Sequence, residues 1–140
     1  MAINVSESFN ATMSNLHEMI GFVSSCALSA GVNKYRIKEI ELASEEALVN
    51  VIKYGYGDKQ DGEILINCFS DNDRFHIHIT DRGIPFNPLE VPNPDITLDI
   101  EDRKIGGLGI FFVKQFMDHI DYKRHQDQNL LSMSVNIQTN

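Results

Sequence analysis

The sequence predicts an α+β fold, a two-layer sandwich with three helices on one face of a mostly antiparallel mixed sheet. Three observations point there. Apolar residues recur at helical spacing through the N-terminal third, then switch to strand-like alternation. A third helical pattern interrupts the alternating runs near residue 110. All four prolines (Pro85, Pro88, Pro92 and Pro94) fall in one stretch between the second alternating run and that helix. A chain of 140 residues, 42% of them hydrophobic, suits one compact domain with a sizeable core, spanning residues 1–140.

The elements follow in order. Residues Ala2 to Ser6 allow a short edge strand. From Phe9 the steps of four and three through Met13, Leu16, Ile20, Val23 and Ala27 keep one helical face buried. Gly31 ends that helix by permitting a left-handed backbone. Asn33 can cap a second helix, whose core stripe runs Ile37, Ile40, Ser44, Leu48 and Val51 before Gly55, Gly57 and Asp58 break it. Ile64, Ile66 and Cys68 alternate along one strand, and Phe75, Ile77 and Ile79 along the next. Ser70-Asp71-Asn72-Asp73 between them reads as a hairpin turn. The proline-bearing stretch, about residues 84–105, has no evident regular structure and is long for a domain of this size, the mark of a functional lid. A third helix starts at Gly106 and Gly107 and carries Leu108, Phe112, Val113 and Phe116. Two strands close the chain, around Ile120 to Lys123 and from Leu131 to Ile137.

Composition excludes some functions. The formal net charge of -8 repels phosphate backbones, which argues against nucleic acid as a partner and for a protein or a small ligand carrying its own cation. The two cysteines, Cys26 and Cys68, sit in apolar patterns without a CxxC spacing, as buried reduced thiols of a cytoplasmic protein do. Residues Met1 to Ser8 lack the basic start and apolar core of a signal peptide. No apolar run approaches the roughly 18–20 residues of a membrane span.

Chemistry concentrates in three short patterns. On the second helix, Glu39, Ala43, Glu46, Asn50 and Lys53 recur at steps of four and three and form one line. That line reads either as a solvated face or as a working one. In the second case Asn50 offers Mg²⁺ a neutral oxygen, Glu46 orients or deprotonates a nucleophile, and Lys53 reaches a phosphate. Asp81-x-Gly83 ends the second strand. It is an ordinary turn, or a carboxylate able to read an exocyclic amine beside a glycine that lets a base approach. Gly106-Gly107-Leu108-Gly109, preceded by Arg103 and Lys104, is a hinge or a phosphate-approaching loop before a helix. It matches neither a P-loop nor a dinucleotide-binding fingerprint.

Glu46-Ala-Leu-Val-Asn50, Asp81-Arg-Gly83 and Gly107-Leu-Gly109 resemble the N, G1 and G2 boxes of the GHKL ATPase superfamily. The stretch from Glu45 to Tyr56 resembles most the bacterial anti-sigma factor serine/threonine kinases. The resemblance spans nearly the whole chain and implies a Bergerat-type sandwich with an ATP site under a mobile lid. It implies that Glu46 is the catalytic base and that Asn50 holds Mg²⁺. It further implies that Lys53 contacts phosphate, Asp81 reads the adenine amine, Gly83 lies beside the base, and the Gly106–Gly109 loop borders the phosphates. Two positions depart from the pattern: Pro85 replaces the second glycine of the G1 box, and Gln128-Asn129 stands where Gly-Thr is usual.

The implied function is phosphorylation of an anti-anti-sigma antagonist together with sequestration of a sigma factor, in a protein that is commonly a homodimer. Two alternatives remain: a regulatory module that binds ATP without phosphotransfer, and a detached histidine-kinase-like ATPase domain. His17 lies one helix upstream of Glu46, which leaves no room for the two-helix dimerisation domain a histidine kinase needs. It reads as an exposed helical histidine, and His76 and His78 read as structural.

Overall fold

The computed structural model describes residues 2–56, 61–71, 73–90 and 110–137. Within them a five-stranded sheet runs in the order β1-β2-β3-β5-β4, made of Asn4–Asn10 (β1), Glu63–Ser70 (β2), Arg74–Asp81 (β3), His119–His125 (β4) and Gln128–Asn136 (β5). Every pairing among these strands is antiparallel. Helices α1 (Leu16–Ser29), α2 (Lys34–Asn50) and α3 (Phe111–Phe116) complete the α+β sandwich. The core lies between the layers. Ile64, Ile66 and Cys68 of β2, Phe75, Ile77 and Ile79 of β3, and Leu131, Met133 and Val135 of β5 meet Met19, Val23, Ile40 and Leu48 of the helices.

The N-terminal boundary differs from the expectation. Phe9 does not open α1; it is the penultimate residue of β1, opposite Ile64 of β2. The ladder to β2 supplies hydrogen bonds that a lone helical turn could not match, so the strand extends to Asn10 and the helix waits until Leu16. Phe9 still reaches α1, meeting Phe22 edge to face at 5.9 Å. Met13, counted in the buried stripe, is instead exposed in a short 3₁₀ turn.

The caps behave as their chemistry requires. Gly31 has φ of 90°, and the Gly31 and Val32 N–H groups bond back to the carbonyls of Leu28 and Ala27. That is a Schellman ending, which any residue with a Cβ would strain. Asn33 accepts the N–H of Arg36 at 2.9 Å and starts α2. Arg36 then spans from α2 to the start of β4, pairing with Asp118 at 2.7 Å and with Glu39 at 3.0 Å.

Helix α2 ends at Asn50, and Gly55 does not break the helical path. That path continues from Val51 to Tyr56 as a π-helical segment, wound more widely than an α-helix. The tail of that segment is pinned from both sides. The Tyr56 hydroxyl donates to the carbonyl of Glu63 at 2.6 Å and accepts the N–H of Arg82 at 2.8 Å. It thereby joins the end of the helix to β2 and to the residue after β3. Gly57 and Asp58 lie outside the described residues. The proline-bearing stretch also differs at its start, since Pro88–Glu90 forms a 3₁₀ turn where no regular structure was expected. The turn between β2 and β3 closes on Asp71, whose carboxylate accepts the N–H groups of Asp73 and Arg74.

Both cysteines are free and buried, Cys26 on α1 and Cys68 on β2. Burial, with Cys26 alongside, pushes the Cys68 thiol far above its usual range, which keeps it unreactive. Among the described residues no helix is long and apolar enough to cross a membrane.

Candidate functional site

The line Glu39–Ala43–Glu46–Asn50–Lys53 is not a solvated face. Ala43, Glu46 and Asn50 are buried, although the opposite stripe of Ile40, Ser44 and Leu48 is buried too. Helix α2 is enclosed because both α1 and α3 pack against it, and sequence spacing alone could not reveal α3 as that second neighbour. Glu46 answers to it directly. Its Oε1 accepts the N–H of Phe112 at 2.8 Å and of Val113 at 3.3 Å, at the start of α3. Its Oε2 is buried with no hydrogen-bond partner among the described residues. Burial raises the Glu46 carboxyl to about 7, against the lowering pull of those two N–H groups.

Asn50 lies one turn after Glu46 and is also buried. Lys53 falls in the π-helical segment, so the phase of the line changes at Val51 and Lys53 is not its straight continuation. Lys53 is half-buried.

At the other end, the register of the sheet sets Asp81, the last residue of β3, directly opposite Asn129 of β5. Both face the helices and both are buried. Asp81 Oδ1 accepts the N–H of Gly83 at 2.9 Å and the side-chain amide of Asn129 at 3.0 Å. Burial raises the Asp81 carboxyl, opposed by Asn129, by the Gly83 N–H and by the charge of Arg124. Gly83 is needed for close approach: a Cβ there would stand 2.3 Å from the carbonyl oxygen of Gly55. The Ile84 N–H bonds that same oxygen at 3.0 Å, and Arg124 donates to the Gly83 carbonyl at 2.8 Å. The strand-to-lid turn thus lies against the π-helical segment. Val51, Gly55, Asp81, Phe86, Pro88, Tyr122, Asn129 and Leu131 surround this end of the site.

Asp81, Gly83, Glu46, Asn50 and Lys53 therefore belong to two neighbouring stations, one at the end of β3 and one on α2. Gly106, Gly107, Leu108 and Gly109, with Arg103 and Lys104, lie outside the described residues. The helix expected to start at those glycines is described from Phe111. Gly55, Tyr56, Tyr122, Arg124 and the part played by Asn129 were not found from sequence. Gly55, Arg124 and Asn129 touch Asp81 or Gly83 directly, Tyr122 reaches them through Asn129, and Tyr56 holds the adjoining Arg82; all of these contacts except the Tyr122–Asn129 bond join segments distant in sequence.

The donor set fits a magnesium nucleotide. A carboxylate with one oxygen committed and Oδ2 without a hydrogen bond among the described residues can accept from an amine. A buried neutral amide beside a buried carboxyl suits Mg²⁺, which takes few protein oxygens and completes its shell with phosphate and water. Among the described residues no group of His, Cys, Asp and Glu could cage a metal without such help.

The fold has relatives. The RsbU and RsbW domains of a Mycobacterium tuberculosis protein superpose with a TM-score of 0.66 at 12% identity, covering 94% of this chain. This chain spans only 32% of that one. The catalytic domain of the histidine kinase ThkA superposes with a TM-score of 0.52 at 12% identity, covering 95% of this chain and 97% of that one. In sequence, the chain is 30% identical over 112 residues to the serine-protein kinase RsbW of Listeria monocytogenes, covering 77% of this chain and 70% of that protein. It is 23% identical over 95 residues to the serine/threonine-protein kinase BtrW of Bordetella bronchiseptica, covering 68% of this chain and 67% of the relative. A family model described as a histidine kinase-like ATPase domain matches residues 9–135, so the buried Glu46–Asn50 pair and the Asp81 turn are carried by a chain that belongs to that family.

Proposed function

We propose that the chain binds magnesium ATP between α2 and the end of β3 and acts as a serine/threonine protein kinase. Its substrate in this reading is an anti-anti-sigma antagonist, and it also holds a sigma factor. The observation that carries the reading is Glu46, a buried carboxyl poised at about 7 with one oxygen fixed by backbone N–H groups and the other uncommitted among the described residues. A base works best when its pKa lies near the operating pH. The kinase names of the similar proteins support the reaction class.

Each residue then has one task. Asp81 Oδ2 accepts from the exocyclic amine of the base, and Gly83 leaves the base room. Asn50 would hold Mg²⁺, which when bound supplies positive charge against the phosphates. Lys53 and the Gly106–Gly109 loop add donors at the phosphate end, under a lid spanning about residues 84–105. Glu46 Oε2 accepts the proton of the serine hydroxyl as that oxygen attacks the γ-phosphorus and ADP leaves. Positioning and charge stabilisation do the rest. The exposed outer edge of β1 is where a second copy of the chain would add in a homodimer.

The test is transfer from labelled ATP to the cognate antagonist. Glu46→Gln should lose on the order of 10²–10⁴-fold in transfer rate while still binding ATP. Unchanged transfer would leave Glu46 as a brace for α3. A separate reading, an ATP-binding regulatory module that would give no transfer even as the wild-type chain, has one observation in its favour, namely the two α3 N–H groups already taken up by Glu46.

A further inference from the structure

Asn129 is saturated. One side-chain N–H donates to Asp81 Oδ1 at 3.0 Å and the other to the carbonyl of Ile84 at 2.8 Å. Its Oδ1 accepts the hydroxyl of Tyr122 and the N–H of Phe86 at 3.4 Å. A planar amide with both donors and its acceptor engaged cannot rotate without breaking several bonds at once. Its own exposure is 4%, so water does not replace those bonds.

This arrangement does two things. It holds Asp81 by Oδ1, the oxygen that also accepts the Gly83 N–H, which leaves Oδ2 as the oxygen available to a ligand. It also ties the root of the lid, Ile84 to Phe86, to the same carboxylate. Phe86 lies face to face with Tyr54 of the π-helical segment at 5.2 Å, so the tie extends to the segment that follows Asn50.

We propose that Asn129 is the positioning residue for base recognition. It sets the carboxylate of Asp81 for an exocyclic amine and couples that contact to the lid root. This rests on the reading of the site as a nucleotide site. Asn129 makes no contact with the ligand itself, because its hydrogen-bonding groups are already committed. Its influence passes through Asp81 on one side and through Ile84 and Phe86 on the other.

The experiment compares binding of ATP with binding of purine riboside triphosphate, which lacks the exocyclic amine. The wild-type chain should prefer ATP about 10- to 100-fold, the range expected for one hydrogen bond to a charged acceptor. Asn129→Leu should shrink that preference to about threefold or less. A general structural defect would weaken both nucleotides equally and leave their ratio intact. Asn129→Thr restores a hydroxyl donor toward Asp81 but cannot also span to Ile84 and Phe86. It should recover the ATP preference while amide exchange at residues 84–90 stays faster than in the wild type. Asn129→Thr also keeps the proposal testable if the leucine variant does not fold. A preserved preference in Asn129→Leu, or in Asn129→Thr exchange at residues 84–90 as slow as in the wild type, overturns the role of Asn129. Failure of the wild-type chain to bind ATP overturns the nucleotide reading instead, and the two outcomes are distinct.

Discussion

At the β3–β5 end of the site, Asp81 and Asn129 face each other across a strand ladder, and Gly83, Ile84, Arg124, Tyr122 and Gly55 close around them with direct hydrogen bonds or backbone contact. At the α2–α3 end, Glu46 and Asn50 are just as buried, yet among the described residues Glu46 is held only through Oε1, by the first N–H groups of a six-residue helix. The difference is one of committed bonds. The first station is over-determined by its neighbours, as a group that must present one oxygen in one direction needs to be. The second keeps a buried carboxyl in tension, desolvated enough to hold a proton near neutral pH. Burial raises both carboxyls, and the second, with fewer committed bonds, is raised to about 7, a cost that function would use.

That stored cost gives the largest expected effect. A carboxyl whose folded pKa is raised destabilises the fold only where it is ionised. Glu46 therefore costs nothing below about pH 4.5, its ordinary value, and progressively more as pH rises toward about 7. Above that the penalty is on the order of 3 kcal/mol. Glu46→Gln should accordingly be more stable than wild type at pH 8 by up to about 3 kcal/mol, with the gain vanishing by pH 4.5. Denaturant melts across that pH range measure it. A gain independent of pH would mean that the raised carboxyl is not the source.

The base end should respond in the opposite sense. Gly83→Ala places a methyl 2.3 Å from the Gly55 carbonyl, so the strand-to-lid turn or the π-helical segment must move. A loss of about 2 kcal/mol or more is expected, with weakened ATP binding, because overpacking a dense site has no cheap relief. Calorimetric melting and nucleotide titration check it. A neutral result would show that this end is looser than its hydrogen bonds suggest.

The smallest effect concerns the frame shared by both ends. Arg36 ties α2 to the start of β4 through Asp118, whose carboxyl sits below its ordinary value because the Asn136 N–H and Arg36 outweigh its partial burial. Arg36→Ala should cost about 0.5–1 kcal/mol, the size expected of a half-exposed ion pair, and leave the ATP preference over purine riboside triphosphate unchanged. A change in that preference would mean the two stations are coupled through α2 itself.

How much of this was legible beforehand differs between the stations. The α2 core face, the Val23 and Ala27 part of the α1 face, the Gly31 and Asn33 caps and the alternation of β2, β3 and β5 follow from local rules, and the structure bears them out, while the buried Met19 and Cys26 of α1 lay outside the expected stripe. The Glu46–Asn50 spacing was visible and read either as a solvated face or as a working one, but its burial under α3 was not legible. The start of α1 was misread because Phe9 obeys the helical period by coincidence, while its partner Ile64 lies far along the chain. Asn129 stood out only as a departure from an expected pattern.

Periodicity and cap chemistry were enough to place most of the helices and strands and the buried faces of β2, β3 and β5, and short motifs gave the candidate site residues. These depend on neighbours within a turn or two of the chain. The tertiary structure alone decided that Asp81 meets Asn129, that Gly83 must be small because Gly55 passes beneath it, and that Glu46 is buried and raised. Each of those depends on strand register or on the covering of one helix by another. Register and covering come from contacts distant in sequence, and desolvation follows from where the fold leaves no room for water.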